Sequence, residues 1–148
     1  MLFRSADYLK SLGAAEVMDR AELSAPGKAM QKERWAGVVD SVGSHTLANA
    51  VAQCRYGATV AACGLAQGMD FPATVAPFIL RGVKLIGVDS VMVPIERRIA
   101  AWSNLALELK PETLNKITHE ITLAQGLEWA PKILAGAVKG RLVANVGA

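Results

Sequence analysis

Three short apolar runs place the strongest constraint on the fold of this chain. Each run ends in glycine or in small polar residues, and helix-like patterns separate the runs. Such runs are typical of buried parallel strands whose C-terminal ends face a ligand crevice. The alternation of strand and helix favours crossover connections in an α/β layer. We therefore expect parallel strands, adjacent in this order, near residues 36–42, 58–63 and 83–88.

The phosphate-binding loop of a nucleotide fold is missing from the sequence. Neither G-x-G-x-x-G nor G-x-x-x-x-G-K-[ST] occurs in the 148 residues. We therefore predict an α/β fold: a truncated Rossmann-like parallel sheet that lacks its first two strands and its glycine-rich loop, with a mixed C-terminal tail. A further strand is expected at residues 16–19. In the classic order 3-2-1-4-5-6 it would be strand 3, separated from the other three strands.

Apolar spacing and glycine or proline boundaries predict the remaining elements. The expected helices lie at residues 6–12, at 46–56, as a short helix within 72–80, and at 94–109, 111–114 and 127–134. Gly57 is expected to end the second of these helices and Gly82 the third. Extended segments are expected at residues 117–123 and 140–146.

Composition excludes several classes of function. The chain is 52% apolar and 20% charged, which is typical of a globular protein with a sizeable core. Its net charge of +3 comes from scattered basic residues, so we expect no nucleic acid binding. Cys54 and Cys63 lack zinc-ligand spacing with each other and with the two histidines. The lack of a signal-peptide stretch or an 18-residue apolar segment predicts a cytoplasmic protein with no membrane span.

Several longer strings resemble one enzyme family. They are DYLKSLGA (residues 7–14), ERWAG (33–37), VAACGLA (60–66), PFILRGV (77–83), GVDSVM (87–92) and ERR (96–98). In this order and spacing they are similar to the acrylyl-CoA reductase subfamily, also labelled quinone oxidoreductases, of the zinc-independent medium-chain dehydrogenase/reductases. The resemblance extends from about residue 5 to the end of the chain.

The resemblance implies a parent enzyme with a GroES-like catalytic domain followed by a Rossmann domain. It implies that residues 1–110 are a partial dinucleotide-binding domain and that residues 111–148 return toward the GroES-like domain, which this sequence does not contain. The implied cofactor is NADP, and the implied partner is a small-molecule substrate, an acyl-CoA or a quinone. The implied parent is a homo-oligomer that transfers hydride from NADPH to the β-carbon of an activated alkene. This chain alone is expected to be inactive.

Six residues are candidates for cofactor binding, namely Ser41, Leu65, Ile79, Ser90, Arg141 and Arg4. A hydroxyl beside glycine, as at Ser41, lets the backbone approach a ribose, whereas the plainer interpretation is a strand-to-helix turn with Ser44 or Thr46 as N-cap. The loop around Leu65 offers an apolar wall for a nicotinamide ring, or is an ordinary turn.

Ser90 is a similar candidate, because it closes the third strand. The resemblance supports the other three. It places the backbone of Ile79 near the cofactor amide, whereas apolarity alone makes Ile79 a core residue. It implies a cofactor-facing neighbourhood around Arg141, although an arginine that opens a strand is usually a solvated rim charge. Arg4 is the cation closest to the positions where the family carries a Gly-Arg pair for the NADP 2′-phosphate. Those positions hold Met1 and Leu2 here.

We assign no catalytic acid or base and no metal ligand within this sequence. Gln67 replaces the second glycine that the family usually carries, which is expected to stiffen or redirect its loop. Two other classes of function stay open from the residues alone. The chain could be a non-catalytic relic or interaction module that pairs through an exposed sheet, or it could bind a nucleotide without catalysis.

Overall fold

The computed structural model describes residues 6–147, which form two compact units. One unit spans residues 18–93 and contains the three predicted strands. The other combines residues 6–17 with residues 94–147. Each unit has its own parallel sheet, which confirms the predicted α/β class.

The unit of residues 18–93 is built on a three-stranded parallel sheet. Its strands are β1 (Trp35–Asp40), β2 (Cys54–Ala62) and β3 (Lys84–Gly87), in the order β1-β2-β3. The predicted order and direction are therefore confirmed. Because all three strands run the same way, their carboxyl ends meet at one edge of the sheet, where ligands bind in open α/β folds.

Three helices accompany this sheet, and two of them cover one of its faces. They are α2 (Ala21–Ser24), α3 (Ser44–Ala52) and α4 (Ala76–Arg81). The apolar core lies between this face and the helices α3 and α4. Val51 of α3 and Val60 of β2 are completely buried there. On the opposite face Val39 and Ile86 are 82% and 51% exposed, so this face is bare in the described part of the chain.

Polar side chains fix the irregular segment before β1 along α3. Asn49, which is buried, donates from Nδ2 to the carbonyls of Leu23 and Ala25, both at 2.7 Å. Its Oδ1 accepts from Gln31 Nε2 at 2.6 Å. The segment therefore follows the helix closely although it contains little regular structure.

The predicted helix over residues 46–56 is wrong at its C-terminal end. α3 ends at Ala52, and β2 begins at Cys54. Arg81 Nη1 donates to the carbonyls of Ala52 and Cys54 at 2.9 and 3.0 Å, which satisfies backbone groups where the helix ends. Gly57 has a φ of 73° and lies inside β2, near an irregularity in the pairing with β1, rather than at a helix end.

The predicted strand at residues 16–19 is also wrong, because these residues are irregular. A strand exists only through its ladder, and the neighbours that the classic order gives to strand 3 are not in this chain. The boundary between the two compact units falls inside the same segment, between Val17 and Met18.

The second unit contains four helices and a two-stranded sheet among the described residues. The helices are α1 (Ala6–Ser11), α5 (Ile95–Glu108), α6 (Pro111–Ile117) and α7 (Gly126–Leu134). Strands β4 (Thr118–Thr122) and β5 (Arg141–Asn145) pair in parallel. These elements match the predicted ones, with α6 three residues longer than expected. The assignment of residues 1–110 to a dinucleotide-binding domain stays a prediction about the complete enzyme.

Candidate cofactor site

The loops that follow β1 and β2 lie side by side at the carboxyl edge of the sheet. Cys63 N donates to Asp40 O at 2.7 Å, and Gln67 N donates to Val42 O at 2.7 Å. These bonds extend the pairing of the two strands beyond their ends. We call residues 40–43 the first loop, residues 63–68 the second loop, and the two together the paired loops.

Glycine allows the paired loops to approach closely. A Cβ atom on Gly64 would lie 2.6 Å from Ser41 O and 3.0 Å from Ser41 Cα, well inside van der Waals contact. Gly43 has a φ of 73°, a left-handed conformation that favours glycine, and it forms an isolated bridge with Gly68. Larger side chains at these positions would force the two backbones apart.

Asp40 fixes the turn that carries Ser41. Its side chain is buried, with 4% of the residue exposed, and its Oδ2 accepts from Gly43 N at 2.9 Å. A buried carboxylate that accepts a backbone N–H replaces the water it has lost and holds the turn in one conformation. The hydroxyl of Ser41 is thereby placed on an exposed and rigid turn.

The second loop and the residues after it occupy the N-terminus of α3. Ser44 N donates to Asp70 O at 3.1 Å, and Thr46 N donates to Gln67 Oε1 at 3.1 Å. The plainer interpretation, with Ser44 or Thr46 as N-cap, is wrong on this point, because the N-cap of α3 is Gly43 and no side chain of the cap residue makes a hydrogen bond. The hydroxyls of Ser44 and Thr46 donate instead to Asp70 Oδ2 at 3.0 Å and to Gln67 Oε1 at 2.8 Å. This helix N-terminus therefore already has internal acceptors at positions where a phosphate would bind.

The structure brings two of the predicted site residues together. Gly64 packs against the backbone of Ser41, and Leu65 is the next residue. Ala66 N also approaches Ser41 O, at 3.4 Å. The side chain of Leu65 is on the surface, with 58% of the residue exposed. A hydroxyl and an apolar side chain thus face solvent on neighbouring loops.

Ser90 lies in the loop that follows β3, the third loop, which adjoins the second loop. Val88 N donates to Ala62 O at 2.8 Å, which continues the pairing of β2 and β3 into this loop. Asp89 Oδ1 accepts from Val91 N at 2.9 Å and from Met92 N at 3.0 Å. These backbone hydrogen bonds, the one from Met92 first, lower the pKa of the Asp89 carboxyl below its ordinary value.

The other three candidates are not joined to the paired loops by the contacts described above. Ile79 lies on α4 with 73% of the residue exposed. Arg141 begins β5 in the other unit, where its Nη1 donates to Gly140 O at 3.4 Å. Arg4 lies outside the described residues. Their cofactor roles stay predictions.

Sequence reasoning missed the contacts of three residues that shape this site. Asp40, Gln67 and Asp70 contribute side-chain acceptors, and the last two act on residues 21 and 26 positions earlier in the chain. Local periodicity carries no signal for contacts at such separations. Gln67 had one signal, since it replaces a glycine of the resembled family.

The chemistry of the paired loops fits part of a dinucleotide. An exposed hydroxyl, nearby backbone and an apolar side chain suit a ribose and the edge of a nicotinamide ring. The occupied N-terminus of α3 does not suit a pyrophosphate. In the described part of the chain, no three His, Cys, Asp or Glu side chains are grouped to bind a metal ion. Over the same residues, no helix is long and apolar enough to cross a membrane.

Comparison with known proteins identifies related enzymes. The chain is 46% identical over 145 residues to acrylyl-CoA reductase AcuI of Ruegeria pomeroyi, and this match covers 97% of the chain but 44% of the relative. A crystal structure of the yhdH oxidoreductase from Salmonella enterica in complex with NADP superposes with a TM-score of 0.91 at 44% identity, over 97% of this chain and 44% of that one. The Bacillus subtilis protein yhfP with NAD bound gives a TM-score of 0.89 at 42% identity, over 96% and 44% of the two chains.

The chain thus spans less than half the length of these relatives, corresponding to their C-terminal part. A family model described as zinc-binding dehydrogenase matches residues 4–109, which is most of the chain. Residues 6–147 contain no group of side chains that could bind the zinc of that description. Because the family model matches well over half of its residues, this protein belongs to the zinc-binding dehydrogenase family.

Proposed function

We propose that this chain supplies the cofactor-facing wall of an NADPH-dependent reductase that acts on an activated alkene, such as a 2-enoyl-CoA. The observation that carries the proposal is the rigid pairing of the loops after β1 and β2, which places Ser41 and Leu65 together at the carboxyl edge of the sheet. The names of the relatives support the same reaction class.

Each residue of the wall has a defined task in this proposal. The Ser41 hydroxyl hydrogen-bonds a ribose hydroxyl, and Leu65 packs on one side of the nicotinamide ring and excludes water from it. Ser90, Ile79 and Arg141 extend the wall in the complete enzyme, where Arg4 lies close to the 2′-phosphate. When bound, NADPH supplies the hydride for the β-carbon of the alkene, and a proton completes the reduction at the α-carbon.

The wall that this chain supplies is one side of the cofactor crevice of the complete enzyme. The paired loops hold no group positioned as a general acid or base, and the N-terminus of α3 is occupied by Asp70 and Gln67. Pyrophosphate binding and substrate binding therefore come from the part of the enzyme that this chain does not span. The whole activity belongs to the complete homo-oligomer, and the acyl-CoA or quinone substrate is bound there.

A chimera tests the proposal. The part of the Ruegeria pomeroyi reductase that precedes the matched region is joined to this chain, and NADPH oxidation is followed with acrylyl-CoA and with a quinone. We expect oxidation that depends on one of these substrates, and a preference for NADPH over NADH. The Ruegeria pomeroyi part alone is the control and should be inactive. A folded chimera that neither binds nor oxidises NADPH would refute the proposal.

A further inference from the structure

Gln67 makes more contacts with distant parts of the chain than any other exposed residue of the paired loops described above. Its Oε1 accepts from both Thr46 N and Thr46 Oγ1, at 3.1 and 2.8 Å. Its Nε2 donates to Ser24 O at 2.9 Å, and its backbone N donates to Val42 O at 2.7 Å. One side chain therefore connects the second loop to the start of α3 and to the end of α2.

The acceptor that Gln67 provides replaces a missing helix cap. The first turn of an α-helix has no internal acceptor for its N–H groups. Gly43, the N-cap residue of α3, has no side chain to supply one. Gln67 therefore provides the acceptor for Thr46 from 21 residues further along the chain.

The position of this contact matters for the site. Gln67 follows Leu65 by two residues, and Leu65 is on the surface, with 58% of the residue exposed. The loop has two backbone attachments before Gln67, the bonds of Cys63 N and Ala66 N, and the second is long at 3.4 Å. Beyond Ala66 the loop is held by the bond of Gln67 N to Val42 O, by the bridge of Gly68 with Gly43, and by the side-chain contacts of Gln67.

We propose that Gln67 is a positioning residue that sets the place of Leu65 and Ala66 against the cofactor by capping α3 from a distance. The effect of Gln67 on cofactor contact rests on the function proposed above. The capping of α3 by Gln67 does not depend on that function. Gln67 does not touch the reacting atoms. It acts through the backbone of the second loop.

The test uses the uniformly ¹⁵N-labelled 148-residue chain and three variants. Gln67→Ala removes both side-chain bonds. Gln67→Glu keeps an acceptor for Thr46 but loses the donor to Ser24. Gln125→Ala is the matched control in the other unit, because Gln125 Oε1 accepts from Thr122 N at 2.8 Å in the same kind of contact.

Amide hydrogen exchange gives the first readout. In Gln67→Ala we expect the Thr46 amide to exchange roughly tenfold faster, because the acceptor that Gln67 provides is gone. Gln67→Glu should restore the protection of Thr46. Gln125→Ala should leave Thr46 unchanged and accelerate exchange at Thr122. An unchanged Thr46 amide in folded Gln67→Ala would overturn the capping role.

Titration with NADPH to about 10 mM, a range that detects weak binding, gives the second readout. In the wild-type chain we expect chemical-shift changes at the Leu65 and Ala66 amides, reduced at least threefold in Gln67→Ala and largely restored in Gln67→Glu. Equal changes in wild type and Gln67→Ala would overturn the positioning role. If NADPH shifts no resonance in the wild type while Thr46 protection still depends on Gln67, the proposed function fails and the capping role stands.

Discussion

At the scale of single residues, Gly64 controls how closely the paired loops approach. Gly64→Ala would place a methyl group 2.6 Å from Ser41 O, and the atoms it meets belong to the backbone. We expect a loss of about 1–3 kcal/mol in the free energy of unfolding, as for other overpacked sites. Urea denaturation of the purified chain measures it.

Gly87→Ala is the matched control for this substitution. Gly87 also lies at the end of a strand in the same sheet, but a Cβ atom there meets nothing within 4 Å. Its effect should stay within about 0.5 kcal/mol. Equal losses for the two variants would show that the close approach of Gly64 to Ser41 does not hold the loops.

Asp89 makes the third loop sensitive to acid. Its pKa is lowered because the carboxylate accepts the N–H groups of Met92 and Val91. A carboxyl whose pKa is lower in the folded state stabilises the fold above its unfolded value of 3.8, and this contribution disappears as the pH falls through the folded pKa. We expect the amide resonances of Val91 and Met92 to shift together below about pH 4.

The control is Asp89→Asn, which keeps an oxygen acceptor and cannot titrate. The Val91 and Met92 resonances of this variant should not move over the same range of pH. If they move as in the wild type, another group governs the acid response of the loop.

At the scale of elements, α5 has an apolar side that is not buried in the described structure. Ile99 and Trp102 are 59% and 66% exposed, whereas Val51 of α3 is completely buried. Trp102→Gln should therefore change the free energy of unfolding by less than about 0.5 kcal/mol. Val51→Ala should cost about 2–3 kcal/mol. Thermal unfolding of both variants measures these changes in the free energy of unfolding. A large loss of stability in Trp102→Gln would mean that the apolar side of α5 is packed in solution.

The boundaries of elements show what a sequence pattern can predict. The three strands of the first sheet were predictable in order and direction and, apart from residues 54–57 of β2, in place, because apolar runs and crossover helices are local signals. The end of α3 was not, because Arg81 binds the carbonyls of Ala52 and Cys54 from 29 and 27 residues away. The strand expected at residues 16–19 failed for a related reason, since its ladder needs partners outside this chain.

The candidate site, like the element boundaries, could be predicted from the sequence only in part. The positions of Ser41, Leu65 and Ser90 followed from the rule that ligands bind at the carboxyl ends of parallel strands. The partners of the Asp40 and Gln67 side chains, which hold these loops, could not be predicted, because they are decided by the folded geometry. The roles of Ile79, Arg141 and Arg4 still depend on the resemblance.

At the scale of the whole molecule, the sheet of residues 18–93 is covered on one face. Parallel sheets are normally buried on both faces, yet Val39 is 82% exposed and Ile86 is 51% exposed. The relatives are more than twice as long as the matched region. The bare face and the incomplete crevice are therefore the expected consequences of a chain that spans less than half of such an enzyme.

Cofactor binding by the 148-residue chain alone should accordingly be weak. In the proposed arrangement the paired loops contact only a ribose and a nicotinamide edge. Asp70 and Gln67 occupy the N-terminus of α3, and no glycine-rich loop is present to hold the pyrophosphate. Each charge-assisted hydrogen bond that is lost is worth about 1.5–3 kcal/mol. Two or three of them account for a loss of several orders of magnitude in affinity.

We therefore expect a dissociation constant for NADPH above about 1 mM, measured by isothermal titration calorimetry at moderate ionic strength. The chimera described above is the positive control and should bind at least a hundredfold more tightly. The chain alone should show no NADPH-dependent reduction of acrylyl-CoA. A micromolar dissociation constant for the chain alone would mean that its own residues bind the phosphates, and that the occupied N-terminus of α3 opens to receive them.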